Sequence, residues 1–72
     1  MAEVTVAKAI SFKRAQKGMS ARRLSTLCGL SPSYINKVEK GVIEPSFRIF
    51  CKMAEVLEMS DVEILFLVRK LK

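Results

Sequence analysis

Histidine and tryptophan are absent from this 72-residue chain, and cysteine occurs only twice, as Cys28 and Cys51. Without histidine or a CxxC pair, neither a zinc site nor a thioredoxin-like redox centre can be assembled from local ligands. Both cysteines therefore read as small apolar residues for a core, and a disulfide between them is disfavoured because nothing marks the chain as secreted. Long apolar runs are also missing. The longest, Ile64–Val68, falls far short of the roughly 20 residues that a membrane span needs. The opening "MAEVTVAKAI" has no basic leader ahead of an apolar stretch, so no signal peptide is expected and the location reads as cytoplasmic. No segment alternates apolar and polar residues as a half-buried strand would. Catalysis has no footing: there is no glycine-rich phosphate loop, and the acidic cluster Glu55, Glu58, Asp61 and Glu63 reads as helix surface and capping. No cofactor, metal or small-molecule effector site is expected.

What the chain does have is positive charge in one half. Thirteen Lys+Arg stand against seven Asp+Glu, a net of +6. Residues 1–45 carry eight of the cations (Lys8, Lys13, Arg14, Lys17, Arg22, Arg23, Lys37, Lys40) and three acids (Glu3, Glu39, Glu44), a net of +5. The remainder carries only +1. An anionic partner of the front half, nucleic acid or a membrane surface, is implied.

Serine and glycine punctuate the rest. Ser20, Ser31, Ser46 and Ser60 stand where a hydroxyl can accept the orphan N–H groups of a helix start, and Gly18, Gly29 and Gly41 can adopt the left-handed conformation that ends a helix. Pro32 after Ser31 suits the first helical position, and Glu63 after Ser60 completes a capping box. The spacing predicts five short helices over residues 5–17, 20–28, 31–40, 46–58 and 60–70 in a single all-α domain. Leu24, Leu27 and Cys28 are the expected inner stripe of the second helix, and Ile35 and Val38 that of the third. Gly29 reverses the chain between them, with Leu30 plugging the corner. Ser33, Asn36, Lys37 and Lys40 are left facing outward.

With Ala21 as the first position of that broken helix, Leu24 is fourth, a small Ser25 fifth, Cys28 eighth, Gly29 ninth, Leu30 tenth, Ile35 fifteenth and Val38 eighteenth. This pattern resembles the helix-turn-helix of the phage Cro/repressor (Xre-like) class of DNA-binding proteins. "FKRAQKGMS" looks like the end of that family's first helix, and "CKMAEVLEMSDVEIL" like its fourth helix and the start of its fifth. The resemblance implies a compact five-helix lambda-repressor-like DNA-binding domain spanning residues 1–72, with the helix-turn-helix at helices 2 and 3. It also implies a sequence-specific double-stranded DNA partner, the third helix docking in the major groove while the second crosses the phosphates.

Positions that match the family's base-reading sites are Pro32, Ser33 and Lys37. Lys37 can donate to guanine O6 and N7, and Ser33 can reach a base or a phosphate. Pro32 departs from the pattern, since proline donates nothing and can at most pack on a thymine methyl. Helix geometry adds Asn36, able to pair with adenine, and Tyr34, whose ring or hydroxyl can reach a methyl or a phosphate. Ser20, Arg22, Arg23 and Lys40 are the expected phosphate contacts. Cations in the first turn of a helix oppose its dipole, and an approaching phosphate gives Arg22 and Arg23 a purpose there. Arg14 and Glu39 match a partly buried ion pair of the family that joins the first helix to the end of the third.

The last helix, residues 60–72, is apolar around well over half its circumference, whereas one core needs only a stripe. Either a small domain wraps this helix deeply, or it pairs with its copy. A homodimer through Ile64, Leu67, Val68 and Leu71, with Phe47 and Phe50 nearby, is the preferred reading, since two half-sites match a palindromic operator. The expected function is a transcriptional regulator, a repressor in a phage or mobile-element setting. A protein-binding module of antitoxin-like type, using the apolar last helix, is the alternative.

Overall fold

The computed structural model describes residues 4–71. Five helices follow in order: α1 Val6–Gln16, α2 Ala21–Leu27, α3 Tyr34–Glu39, α4 Phe47–Val56 and α5 Asp61–Val68. No strand occurs among the described residues. None of the helices is long enough to be stable alone in water, so packing must hold them. Each contributes to one core: Val6 and Ile10 from α1, Leu24 from α2, Ile35 from α3, Phe50, Met53 and Ala54 from α4, and Leu67 from α5, with Cys28, Leu57 and Met59 closing the turns. The α2–α3 pair is the tightest neighbourhood, α1 packs against α3, and α4 lies beneath α2 and α5.

Starts and stops explain the boundaries. Thr5, Ser20, Ser46 and Ser60 each hold extended backbone, and each side chain accepts an N–H from the first turn. Four helices end in one hydrogen-bond pattern. The third residue past the helix donates back to the carbonyl five residues earlier, as in Met19 N to Arg14 O (3.1 Å), Leu30 N to Ser25 O (2.9 Å), Val42 N to Lys37 O (2.9 Å) and Met59 N to Ala54 O (3.0 Å). This motif needs a left-handed residue just before the donor. Gly29, at φ 73°, supplies it between α2 and α3. At the end of α4 the position is held by Glu58, the one non-glycine residue with positive φ among those described.

Three expectations are corrected. The third helix starts at Tyr34 instead of Ser31, because Tyr34 N donates to Ser31 O (3.0 Å) and closes a tight turn through Pro32 and Ser33 before regular α-structure begins. Leu27 is not in the inner stripe but 47% exposed. The position between Leu24 and Cys28 on the inner face goes to Ser25, which is fully buried. Phe50 sits in the centre of the core and cannot serve an outer surface, although Phe47 is exposed. Cys28 and Cys51 are free thiols, and burial pushes the Cys28 thiol up, in keeping with an inert packing role. No helix among the described residues is long and apolar enough to cross a membrane.

Candidate nucleic-acid interface

The α2–α3 unit is locked by a single buried hydroxyl. Ser25 Oγ donates to Ala21 O (3.0 Å) and accepts from Ile35 N (3.0 Å). The second contact crosses between the helices and fixes the start of α3 against the body of α2. The other end of α3 is fixed from α1. Arg14 Nε donates to Glu39 Oε2 (2.7 Å), its Nη2 to Glu39 Oε1 (2.9 Å) and its Nη1 to Met19 O (2.7 Å). A two-pronged guanidinium–carboxylate contact of this kind sets orientation as well as distance. The hydrogen bond to Glu39 raises the Arg14 pKa above its ordinary value.

Clamped at both ends, α3 turns one arc outward. At 100° per residue, Ser33, Asn36, Lys37 and Lys40 fall within about 100° of its circumference, and all four are exposed, as is Pro32. Ile35 and Val38 face inward and are buried. Tyr34 departs from expectation: its ring is half-buried and packs against the core, and the burial raises its phenol pKa. Packing therefore occupies much of the ring that was expected to probe a base.

Beside this arc, Arg22 and Arg23 are exposed in the first turn of α2. Ser20 stands just before them, its Oγ accepting from Arg23 N (3.0 Å). The charge distribution is more selective than the front-half total implies. Lys13 pairs with Glu63 (2.7 Å), Arg14 with Glu39, and Lys17 with Glu58. Arg22, Arg23, Lys37 and Lys40 form no ion pair with any described residue. Lys13 and Arg14 on α1 and Lys17 just past its end are neutralised within the fold, whereas Lys8 and the cations of α2 and α3 are not.

The expected pairing surface of α5 is corrected. Leu67 is only 3% exposed and belongs to the core, and Ile64, Val68 and Leu71 are half-buried against it. These residues form the inner face within one chain. The apolar surplus is on the outer face instead, where Val62 (76%), Leu65 (65%) and Phe66 (52%) are exposed.

Two residues that shape the fold escaped the sequence reading. Ser25 was read only as small, and nothing in its spacing announces that its hydroxyl meets Ile35, because that contact depends on the angle of the turn. Glu58 left a readable trace. Gly18-Met19, Gly29-Leu30 and Gly41-Val42 pair a left-handed residue with an apolar one, and Glu58-Met59 repeats the arrangement with glutamate in the first place.

A family model described as helix-turn-helix matches residues 10–64, well over half the chain. No curated protein and no solved structure matches it.

Proposed function

The chain belongs to the helix-turn-helix family of Cro/repressor type, whose members are DNA-binding transcription regulators, and from that premise we propose that it is a repressor binding a palindromic operator as a twofold dimer. The observation that carries the reading is the outward arc of α3, polar, exposed and unpaired in charge, on a helix clamped at both ends. Ser33, Asn36 and Lys37 read base edges in the major groove, with Pro32 and Tyr34 limited to apolar contact. Ser20, Arg22, Arg23 and Lys40 hold phosphates, contributing affinity and register without sequence information. Occupancy of the operator blocks transcription, which suits an autoregulatory cytoplasmic protein of phage or mobile-element type.

Dimerisation falls to the outer face of α5, within a single domain over residues 1–72 whose residues 60–72 form the pairing helix; Lys72 lies outside the described residues. At 100° per residue, Asp61, Val62, Leu65, Phe66 and Arg69 occupy one arc of about 140°, and all five are exposed. The inner residues fill the rest of the circumference. In an antiparallel twofold pairing centred on Leu65, Asp61 of each copy faces Arg69 of the other, flanking the apolar stripe with opposite charges. The same stripe also suits the alternative, a protein-docking module of antitoxin-like type. Salt dependence separates them, since phosphate binding makes log affinity fall steeply with log salt and protein docking does not.

Selection from random double-stranded oligonucleotides tests the proposal. The expected result is a symmetric motif with half-sites about 34 Å apart. Recovery of no motif, with salt-insensitive binding, would reject it.

A further inference from the structure

Four of the five helices supply their own N-cap, and α3 does not. The caps at Thr5, Ser20, Ser46 and Ser60 have ψ between 157° and 164°, and each side chain accepts a first-turn N–H. Ser33, at the same position of α3, has φ −97° and ψ −1°, and its side chain makes no capping bond. Helical backbone at a cap points the hydroxyl away from the N–H groups it would otherwise take. One of those groups, Ile35 N, is met from the neighbouring helix by Ser25 Oγ. Ser25 is fully buried, and its own proton is committed to Ala21 O, so its acceptor side is held toward α3.

We infer that Ser25 is a positioning residue for DNA reading: by capping α3 from α2, it sets the register between the two helices and leaves the exposed Ser33 hydroxyl free for the nucleic acid. The two helices divide the work in the proposed complex, α2 on phosphates and α3 on bases, so their relative position decides whether both sets of contacts form together. This rests on the DNA-binding reading above. A hydroxyl lost at residue 25 leaves the phosphate contacts in place and loosens the base contacts. Discrimination is then affected more than affinity.

The test compares the full chain with Ser25→Ala and Ser25→Cys. The probes are a duplex recovered by selection with the unaltered chain and a random-sequence duplex at the same salt. Ser25→Ala should lower the ratio of the two affinities by roughly tenfold and leave random-sequence binding within about twofold. Ser25→Cys, close in volume with a weak sulfur acceptor, should fall between, and it carries the comparison if the alanine variant does not fold. Amide exchange adds a readout independent of DNA: Ile35 should exchange at least about tenfold faster in a folded variant, with Leu24 and Val38 little changed. An unchanged ratio in a folded variant, or exchange that rises equally throughout, overturns the role of Ser25 while leaving DNA binding intact. A full chain that binds neither duplex overturns both.

Discussion

At Arg14 all three guanidinium nitrogens are engaged, two by Glu39 and one by the Met19 carbonyl. Such a pair need not add net stability over an apolar substitute, but removing one partner strands the other in a partly buried site. Glu39→Gln should therefore lower the unfolding free energy by about 3 kcal/mol in urea melts. A change within about half a kcal/mol would assign the pair no more than the weight of an exposed one. This contact was legible because the spacing of Arg14 and Glu39 resembles a pair in the family. Ser25 was not, although it makes a cross-helix contact in the same unit. An ion pair announces itself by opposite charges, whereas a serine on an inner face looks like any other small residue until the turn brings Ile35 to it. Leu27 shows the reverse error: apolar character suggested burial, and the arc occupied by Ser25 left it outside.

At the level of elements, caps were the most legible feature, since each depends on residues within one turn. Ser60 and Glu63 form the capping box that their spacing implies, with Ser60 N donating to Glu63 Oε1 (2.9 Å) and Glu63 N to Ser60 Oγ (3.2 Å). The start of α3 was displaced because its cap is tertiary. The acidic partners have a consequence for pH. Hydrogen bonds from Lys13, and then from the Ser60 backbone, hold the Glu63 carboxyl below its ordinary range, and Lys17 does the same for Glu58. A carboxyl with a lowered folded-state pKa contributes stability that is present above the unfolded value, about 4.3 for glutamate, and is lost as pH falls through the folded value. Thermal melts between pH 7 and pH 3 should show Tm falling on the acid side. A Glu58→Gln, Glu63→Gln double variant should be less stable at neutral pH and lose less on acidification. An acid limb of unchanged steepness would show that these two carboxylates do not set it.

Across the described residues, the front-half cations divide into those paired within the fold and those left exposed. The excess of cations in the front half was plain in the sequence, but their division was not. Lys13, Arg14 and Lys17 pair with acids drawn from three different segments, a distribution that only the packing of α1 against the rest determines. Arg22, Arg23, Lys37 and Lys40, like Lys8, remain without an ion pair among the described residues. The apolar excess of α5 was equally plain, and its direction was misjudged because periodicity alone cannot say which of two apolar faces meets the core. With Val62, Leu65 and Phe66 outward, the antiparallel pairing predicts that Asp61→Arg and Arg69→Asp each shift the chain toward monomer in sedimentation equilibrium, and that the double variant restores the dimer. Failure of the double variant to recover association would exclude this register. A monomeric unaltered chain at high concentration would exclude the dimer altogether.

Sequence reading by the outer arc of α3 is tested most directly by repeating the random-duplex selection with Ser33→Ala, Asn36→Ala and Lys37→Ala combined in one chain. These side chains are exposed, so the fold should persist. Binding to random-sequence duplex should survive, since its phosphate contacts lie elsewhere, and the recovered motif should disappear. Recovery of the same motif by the triple variant would contradict the assignment of base reading to α3.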